Sequence, residues 1–539
     1  MSRAGLIALL LVALVAPAAP TAAGAQELKI PSSQTEAPRF FKRSAAEVKR
    51  IAGRAEKVRA ERGLRPSAYT RGRGRWQVSF FRDGEEIVQV HVDDRSGRIL
   101  EQWSGDQVAW RMARGYPGAF GRKLNAPYVW IPLCLLFLLP FLDFRRPLRL
   151  LHLDLLVLLG FGVSHVFFNR GEIETSVPLV YPVLLYLLAR VLLAGFRPRA
   201  RAGRLVPHLR GSWLAALLVF LVAFRIGLNV IDSNVIDVGY AGVIGADRIV
   251  DGEELYGKGF SDDVEKGDTY GPVNYLLYVP FEQTLPWSGA WDDLPAAHGA
   301  AIAFDLLAIG GLLLLGRSLR PGREGEMLGV ALAYAWAAFP YTAFVLETNA
   351  NDTLVALACI GALLGFVWRS ALMAGVAVAL GAASKFATLA LAPLFARRSP
   401  FVFAAALGVT LMLAVAPFVP DGGLREMYDR TVGYQAGRGS PFSVWGQVDS
   451  LGWLRTVVKA GAVGLALLVS LVPRRVDERQ VAALGAAVLI ELQLTATHWF
   501  YLYVVWFLPF LLVAVFGAYG DRPARTHARE SRPVSAVSA

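Results

Sequence analysis

Long apolar stretches recur along most of this chain, separated by short polar segments that are rich in arginine. Each stretch approaches the roughly 20 residues that an α-helix needs to cross a lipid bilayer. The pattern therefore predicts a mainly α, polytopic transmembrane helical bundle. The predicted spans are residues 127–144, 148–168, 177–195, 213–231, 297–316, 328–346, 353–368, 372–384, a short return to 395, and then 401–419, 457–472, 481–495 and 499–518.

The basic residues predict which loops face the cytoplasm. The formal net charge is +12, and arginines gather in short loops at 145–149, 197–210, 317–323, 397–398 and 474–475. Short cytoplasmic loops carry an excess of Lys and Arg, so this placement indicates membrane topology and argues against a nucleic-acid partner.

One segment conflicts with a simple alternation of spans. If the loop at 317–323 is cytoplasmic, residues 271–296 must enter and leave the membrane on the same side. That favours a re-entrant or broken hairpin around its four prolines, which is tolerated only where protein or water covers the backbone.

The first 120 residues differ from the rest. Residues 1–25 have the basic start, apolar core and small-residue end of a signal peptide, although an uncleaved anchor helix fits the same pattern. Residues 27–120 are polar, with a helical pattern at 44–62 and three strand-like runs ending near 103, which predicts a small extracytoplasmic α+β domain. Neither Cys134 nor Cys359 has the context of a disulfide or a metal site.

The remaining chain is divided by the same patterns. Residues 127–211 are interpreted as accessory transmembrane helices, 212–519 as a catalytic transmembrane domain, and 520–539 as a disordered cytoplasmic tail. Arg225 and Asp305 interrupt apolar runs, and pairing between helices explains them as well as a functional role does.

The segment from Asp232 to Tyr270 is predicted to be an acidic, aromatic-rich loop at the outer membrane surface. It contains ten acidic and three basic residues, a composition unsuited to hydrocarbon and unlike that of a cytoplasmic loop. On the predicted topology, three more polar groups reach the same face, together with Lys385 near the end of a short span. These groups are residues 347–352, 434–446 and 497–501.

A carboxylate near several cations suits the transfer of a group from a lipid phosphate to a hydroxyl. The carboxylate accepts the hydroxyl proton as a general base, and the cations stabilise charge on the departing phosphate. A metal site through Asp232 and Asp237 has no companion ligands at diagnostic spacing, so no metal or other cofactor is expected.

Several motifs in order resemble the membrane glycosyltransferases of the GT-C fold, specifically the family 87 type that depends on polyprenol-phosphate-mannose. They are IDVGYAGVIGADRIVDGEELYG with YGPVNYLLYVPF, NANDTLVAL, GAASKFATLALAPLF, YQAGRGSPFSVWG and HWFYLYVVWFLPF, within residues 213–518. The resemblance implies a catalytic acid in the first outer loop, which maps best to Asp237. The chain departs from the family in its extra N-terminal spans, its outer domain and its NANDT sequence. The ending SGRILEQWSG of the small domain resembles PepSY-type envelope domains.

Each candidate residue has a structural alternative. Asp232 is the second candidate base, and either aspartate can instead cap or solvate the loop. Lys385 and Arg438 are candidate phosphate ligands, with ion pairs to Glu347, Asp352 or another carboxylate as the alternative. The other candidate substrate-binding residues are His498, Gln435, Asn349, Asn351, Tyr270 and Trp445, for which the alternatives are a satisfied polar contact, a helix cap or an interfacial anchor.

These observations predict a plasma-membrane glycosyltransferase with an extracytoplasmic site. It moves a hexose such as mannose from a polyprenyl-phosphate donor to a glycolipid, polysaccharide or protein acceptor of the cell envelope. The alternatives are an envelope-precursor transporter or flippase, although no internal repeat typical of transporters is visible, and a non-catalytic membrane sensor or scaffold.

Overall fold

A computed structural model describes residues 28–72, 74–115, 120–199, 201, 203–257, 260, 266–290 and 294–520. The predicted signal peptide and nearly all of the predicted tail lie outside these residues. The described chain divides into a small unit, residues 28–103 with 288–290, and a large helical unit formed by 104–287 and 294–520.

The small unit is a five-stranded sheet with strands in sequential order, covered by a helix. The strands are β1 (Leu28–Lys29), β2 (Arg65–Arg71), β3 (Arg75–Arg82), β4 (Glu85–Asp93) and β5 (Ile99–Ser104), and the helices are α1 (Ala45–Ala52) and α2 (Glu56–Arg59). Antiparallel β3 and β4 place Trp76 opposite Val92 and Val78 opposite Val90, so alternate apolar residues share one buried face. The predicted α+β character is confirmed. Strand β2 was missed because it contributes little apolar surface: its buried positions are Ala68 and Thr70.

The large unit is almost entirely helical. Its helices are α3 (Asp106–Ala109), α4 (Pro127–Leu138), α5 (Leu150–Leu159), α6 (Phe161–Asn169), α7 (Ile173–Phe196), α8 (Gly211–Asp232), α9 (Asp237–Val250), α10 (Pro272–Leu276), α11 (Val279–Thr284), α12 (Pro295–Leu319), α13 (Gly322–Ala338), α14 (Pro340–Glu347), α15 (Thr353–Val367), α16 (Ala371–Lys385), α17 (Ala392–Phe395), α18 (Pro400–Val415), α19 (Gly423–Tyr428), α20 (Tyr434–Gly437), α21 (Val444–Gln447), α22 (Gly452–Leu471), α23 (Glu478–Leu494) and α24 (Val504–Phe516).

The helix lengths support a multi-pass membrane protein. Among the described residues, six helical segments are long and apolar enough to cross a bilayer, and a bent pair brings the number to seven. The fold class predicted from the apolar runs is therefore confirmed.

The bent pair is α13 and α14, which meet at 59° where a single span was predicted. Pro340 lacks the N–H that would continue the hydrogen-bond ladder, so carbonyls at the break need another donor. The Arg225 guanidinium donates to Ala337 O at 2.9 Å and also lies 2.6 Å from Asp305 Oδ1. The structure therefore shows the interhelical pairing that the sequence left as one of two alternatives for these residues, and Arg225 also satisfies a carbonyl at the kink.

Residues 271–296 contain the two short helices α10 and α11 in place of a continuous span. Gly271 N donates to Ser384 O at 3.0 Å, and a Cβ on Gly271 would lie 2.0 Å from Ala383 O. Only glycine permits this close approach to the end of α16, which holds the segment against the bundle.

Residues Asp237–Val250 of the acidic segment form the helix α9, although a loop was predicted for the whole segment. Gly239, Gly242 and Gly245 recur every three residues and therefore lie along one face of α9. A Cβ on Gly242 would lie 2.7 Å from the Tyr278 ring, and one on Gly245 would lie 2.1 Å from the Tyr275 ring. This small-residue face explains how a short helix packs closely against α10.

Candidate active site

The N-terminus of α9 is fixed against the segment that joins α14 to α15. Asn234 N donates to Glu347 O at 3.1 Å, and Ile236 N donates to Thr348 O at 3.2 Å. These two bonds place Asp237, the first residue of α9, beside residues 349–352, which is the NAND sequence.

The Asp237 carboxylate is accessible to solvent, but the protein around it shifts its pKa. Its Oδ1 accepts a hydrogen bond from Val238 N at 2.9 Å, and its side chain is exposed to solvent. Burial within the surrounding protein nevertheless raises the pKa of Asp237, while Arg438 and Lys385 lower it and Asp352 raises it.

Lys385 ends α16 and forms a nearly buried ion pair. Its Nζ lies 2.7 Å from Asp352 Oδ1, which also accepts a hydrogen bond from Trp506 Nε1 at 2.8 Å. The ammonium lies 5.3 Å from the centre of the Tyr270 ring. The ion pair considered as the alternative for Lys385 is therefore present, and it lies within electrostatic reach of Asp237.

Arg438 carries a positive charge that no described carboxylate pairs with. Its guanidinium lies 5.1 Å from the Trp110 ring centre and 6.0 Å from the Tyr434 ring centre. Its Nε is buried and has no hydrogen-bond partner in the part of the chain that the structure describes. A half-exposed arginine held between two rings is suited to binding an anion.

The segment carrying Arg438 is anchored to the end of the acidic segment. Arg430 pairs with Asp268 at 3.1 Å, and Gln435 Nε2 donates to Thr269 Oγ1 at 3.2 Å. Gln435 therefore holds the turn that precedes Tyr270, and the two regions, more than 160 residues apart in sequence, are joined at the site.

His498 lies beside Arg438 and is uncharged. Its Nδ1 is 2.9 Å from Ser440 Oγ, and its ring packs against Phe442 and Trp110. Burial, together with the charge of Arg438, holds the pKa of His498 well below its usual value. The Ser440 hydroxyl accepts from Phe442 N and can donate its own hydrogen to Nδ1, an arrangement that goes with a proton on Nε2 of His498.

Three candidate residues lie apart from this cluster or are enclosed within the protein. Asp232 Oδ2 accepts from Lys123 N at 3.1 Å, and its Oδ1 lies 3.8 Å from the Lys123 ammonium. Trp445 donates to Leu494 O at 2.8 Å and packs on Tyr181. Asn349 is fully buried, with its amide bonded to Ser233, Asn234 and Asn229.

Asn351 is also fully buried. Its Nδ2 donates to Asn274 Oδ1 at 2.7 Å, which joins the NAND segment to α10. In this structure both asparagines hold the walls of the site together, and their role as sugar ligands remains a prediction.

Sequence reasoning missed three aromatic residues at the cluster. Trp110 falls within the predicted N-terminal domain, yet it packs in the helical unit against Arg438 and His498. Tyr503 and Trp506 fall within a predicted span, yet their rings pack 4.4 Å apart and Trp506 donates a hydrogen bond to Asp352. Their spacing of three on one helix face was the available signal.

The described residues contain no group of three or more His, Cys, Asp or Glu side chains arranged to hold a metal ion. The expectation that the protein needs no metal or cofactor remains a prediction. The chemistry available to the cluster is that of one accessible carboxylate, one unpaired arginine, one paired lysine and one neutral histidine.

Residues 269–530 match the family model described as Glycosyltransferase family 87. This match supports a membrane glycosyltransferase. It covers Lys385, Arg438 and His498 but begins after Asp237, so the case for Asp237 rests on geometry. No curated protein matches the chain.

Proposed function

We propose that this glycosyltransferase moves a hexose, with mannose as the first candidate, from a polyprenyl-phosphate donor to a hydroxyl of a cell-envelope acceptor. The observation that carries the proposal is the accessible Asp237 carboxylate within the field of the unpaired Arg438. A phosphate-linked donor suits this arrangement because the leaving group is an anion that a guanidinium binds in two places.

The reaction is a single displacement. Asp237 accepts the proton of the acceptor hydroxyl while the acceptor oxygen forms a bond to the anomeric carbon of the sugar. The bond between that carbon and the phosphate oxygen breaks, and polyprenyl phosphate leaves with the electron pair. One displacement inverts the configuration at the anomeric carbon.

Arg438 and His498 stabilise the departing phosphate in this proposal. The guanidinium supplies charge, and the Nε2–H of the neutral His498 supplies a hydrogen-bond donor next to it. The Lys385 ammonium has three N–H donors and uses one of them to bond Asp352. The other two can therefore bind a phosphate oxygen. Tyr270, held under the Lys385 ammonium, offers a ring face to the sugar.

The charge distribution along the helices supports an extracytoplasmic site. Tyr503 and Trp506 lie near the start of α24, at the site, whereas Ala514 and Ala518 lie towards its other end, beside several arginines. Short basic segments favour the cytoplasmic side, so the site faces outward. The small PepSY-like unit then lies outside the cell with it.

The proposal is tested with membranes that contain the full-length protein and a labelled hexose donor. We expect transfer to an envelope lipid extract from polyprenyl-phosphate mannose, or from another polyprenyl-phosphate hexose in the same panel, and none from nucleotide sugars. Transfer from nucleotide sugars alone would overturn the donor assignment. Transbilayer movement of the labelled lipid without a new glycosidic bond would instead support a flippase.

A further inference from the structure

A charged cavity lies in the helical unit, away from the candidate active site. It has a volume of about 180 Å³, and five arginines line it: Arg190, Arg197, Arg199, Arg201 and Arg479. The other lining residues that the structure describes are leucine and alanine, so none of them brings a carboxylate to balance this charge. The cavity therefore has the composition of an anion-binding site with an apolar wall.

The arginines are held in place by the backbone around them. Arg201 N donates to Ala518 O at 2.8 Å, which fixes the segment after α7 against the end of α24. Gln480 Nε2 donates to Gly195 O at 2.8 Å and ties the first turn of α23 to the end of α7. The cavity is thus formed by three elements that are bonded to one another.

The positive charge is only partly neutralised. Asp154 pairs with Arg190 at 2.9 Å, and it is buried behind the cavity lining. Arg479 is stabilised by the nearby charge of Asp477 and repelled by Arg190 and Arg201, and its buried Nε has no partner among the residues that the structure describes. A bound anion would relieve this repulsion and give Arg479 a hydrogen-bond acceptor.

The cavity lies at the opposite end of the bundle from the candidate active site. Tyr503 belongs to the active-site cluster, whereas Ala518, fifteen positions later, lines the cavity. At 1.5 Å per residue this separation is about 20 Å, a large part of the thickness of a bilayer. The preference of arginine for cytoplasmic loops explains why arginines occur at this end, but it does not explain why five converge on one cavity.

We propose that this cavity binds a phosphate group, and that the phosphate is the headgroup of an anionic phospholipid. The arginines bind the phosphate oxygens, and the leucine and alanine wall accepts the start of the acyl chains. Basic pockets between transmembrane helices on the cytoplasmic side suit such headgroups. The inference does not depend on sugar transfer, so it can hold even where the proposed donor is wrong.

The test measures binding of short-chain phosphatidylglycerol to the purified full-length protein in a neutral detergent. The cavity variant Arg199→Gln/Arg201→Gln retains the backbone bond of residue 201, and Arg474→Gln/Arg475→Gln removes two exposed arginines outside the cavity as a matched control. We expect the dissociation constant of the cavity variant to rise about thirtyfold while that of the control stays near the wild-type value.

Two further arms distinguish the source of the phosphate. Phosphatidylcholine tests the need for net negative charge, and inorganic phosphate tests the headgroup without acyl chains. Competition by inorganic phosphate at equal affinity would overturn the lipid assignment and leave a small-anion site. Equal loss of binding in both variants, or equal binding of phosphatidylcholine, would overturn the proposal.

Discussion

The Nζ of Lys385 lies 2.7 Å from Oδ1 of Asp352, and both side chains are almost fully shielded from solvent. This pair explains how a lysine is tolerated at the end of an apolar helix, since its charge is matched by a carboxylate. It also supplies a charged pair within electrostatic reach of Asp237.

Removing one partner of this pair is expected to destabilise the protein more than removing both. Lys385→Met leaves the buried Asp352 charge unmatched, which costs about 3–5 kcal/mol, whereas adding Asp352→Asn removes that charge and keeps an acceptor for Trp506. Thermal unfolding in detergent should therefore give a lower Tm for the single variant than for the double variant. A double variant that is less stable than the single one would contradict this account.

The pH dependence of transfer should report the environment of Asp237. Because burial raises the pKa of Asp237, the base is protonated and inactive below a pH that lies above the ordinary range of aspartate, near 4. Arg438 lowers that pKa, so Arg438→Gln should move the acidic limb of kcat/KM to higher pH. The exposed Arg425 serves as the control, and Arg425→Gln should leave the limb in place.

His498 provides a check on that assignment. Burial and the charge of Arg438 hold the pKa of His498 well below its usual value, so the imidazole is neutral at pH 7 and is not the group that we expect the acidic limb to report. His498→Gln should lower the rate and leave the position of the limb unchanged. A limb that vanishes in His498→Gln would assign the titration to the histidine.

Asn349 should tolerate glycine better than alanine. Its backbone φ is +51°, in the left-handed region, where a Cβ costs about 1–2 kcal/mol and where asparagine is accepted more readily than alanine. Both variants lose the same side-chain hydrogen bonds, so the difference in their Tm isolates the backbone cost. Asn349→Ala is expected to unfold at the lower temperature. The reverse order would show that the backbone at residue 349 leaves the left-handed region in the alanine variant.

Trp110 should affect donor binding through Arg438. The ring lies 5.1 Å from the guanidinium carbon, a cation–π contact worth about 0.5–2 kcal/mol. Trp110→Ala is therefore expected to raise KM for the donor by about two- to thirtyfold, with partial recovery in Trp110→Phe. The exposed Trp453 is a matched control, because Trp453→Ala should leave KM unchanged.

Much of the architecture could be predicted because it depends on local composition. Apolar runs of sufficient length fixed most helices, and the alternating pattern around Trp76 and Val78 fixed two strands of the small sheet. The bend at Pro340 was missed because the run on either side is uniformly apolar. It is visible only when the distant Arg225 is placed beside it.

The candidate site could be predicted in part. Asp237, Lys385 and Arg438 are far apart in sequence, yet the charges of Lys385 and Arg438 act on the Asp237 carboxylate. This proximity could be predicted because the apolar helices bring all three polar residues to the same end of the bundle. Asn349 and Trp445 share that end, but their side chains turn into the protein. The position of a residue along a helix can be predicted from the sequence more readily than the direction in which its side chain points.

The most direct measurement compares Asp237→Asn with Asp232→Asn in the sugar-transfer assay. The two substitutions are isosteric and only five residues apart, but Asp232 is bonded to Lys123 while Asp237 lies in the field of Arg438. The account predicts that Asp237→Asn lowers the transfer rate about 10²–10⁴-fold and that Asp232→Asn retains most of it. Undiminished transfer by Asp237→Asn, in a protein whose Tm matches the wild type, would contradict the assignment of the base.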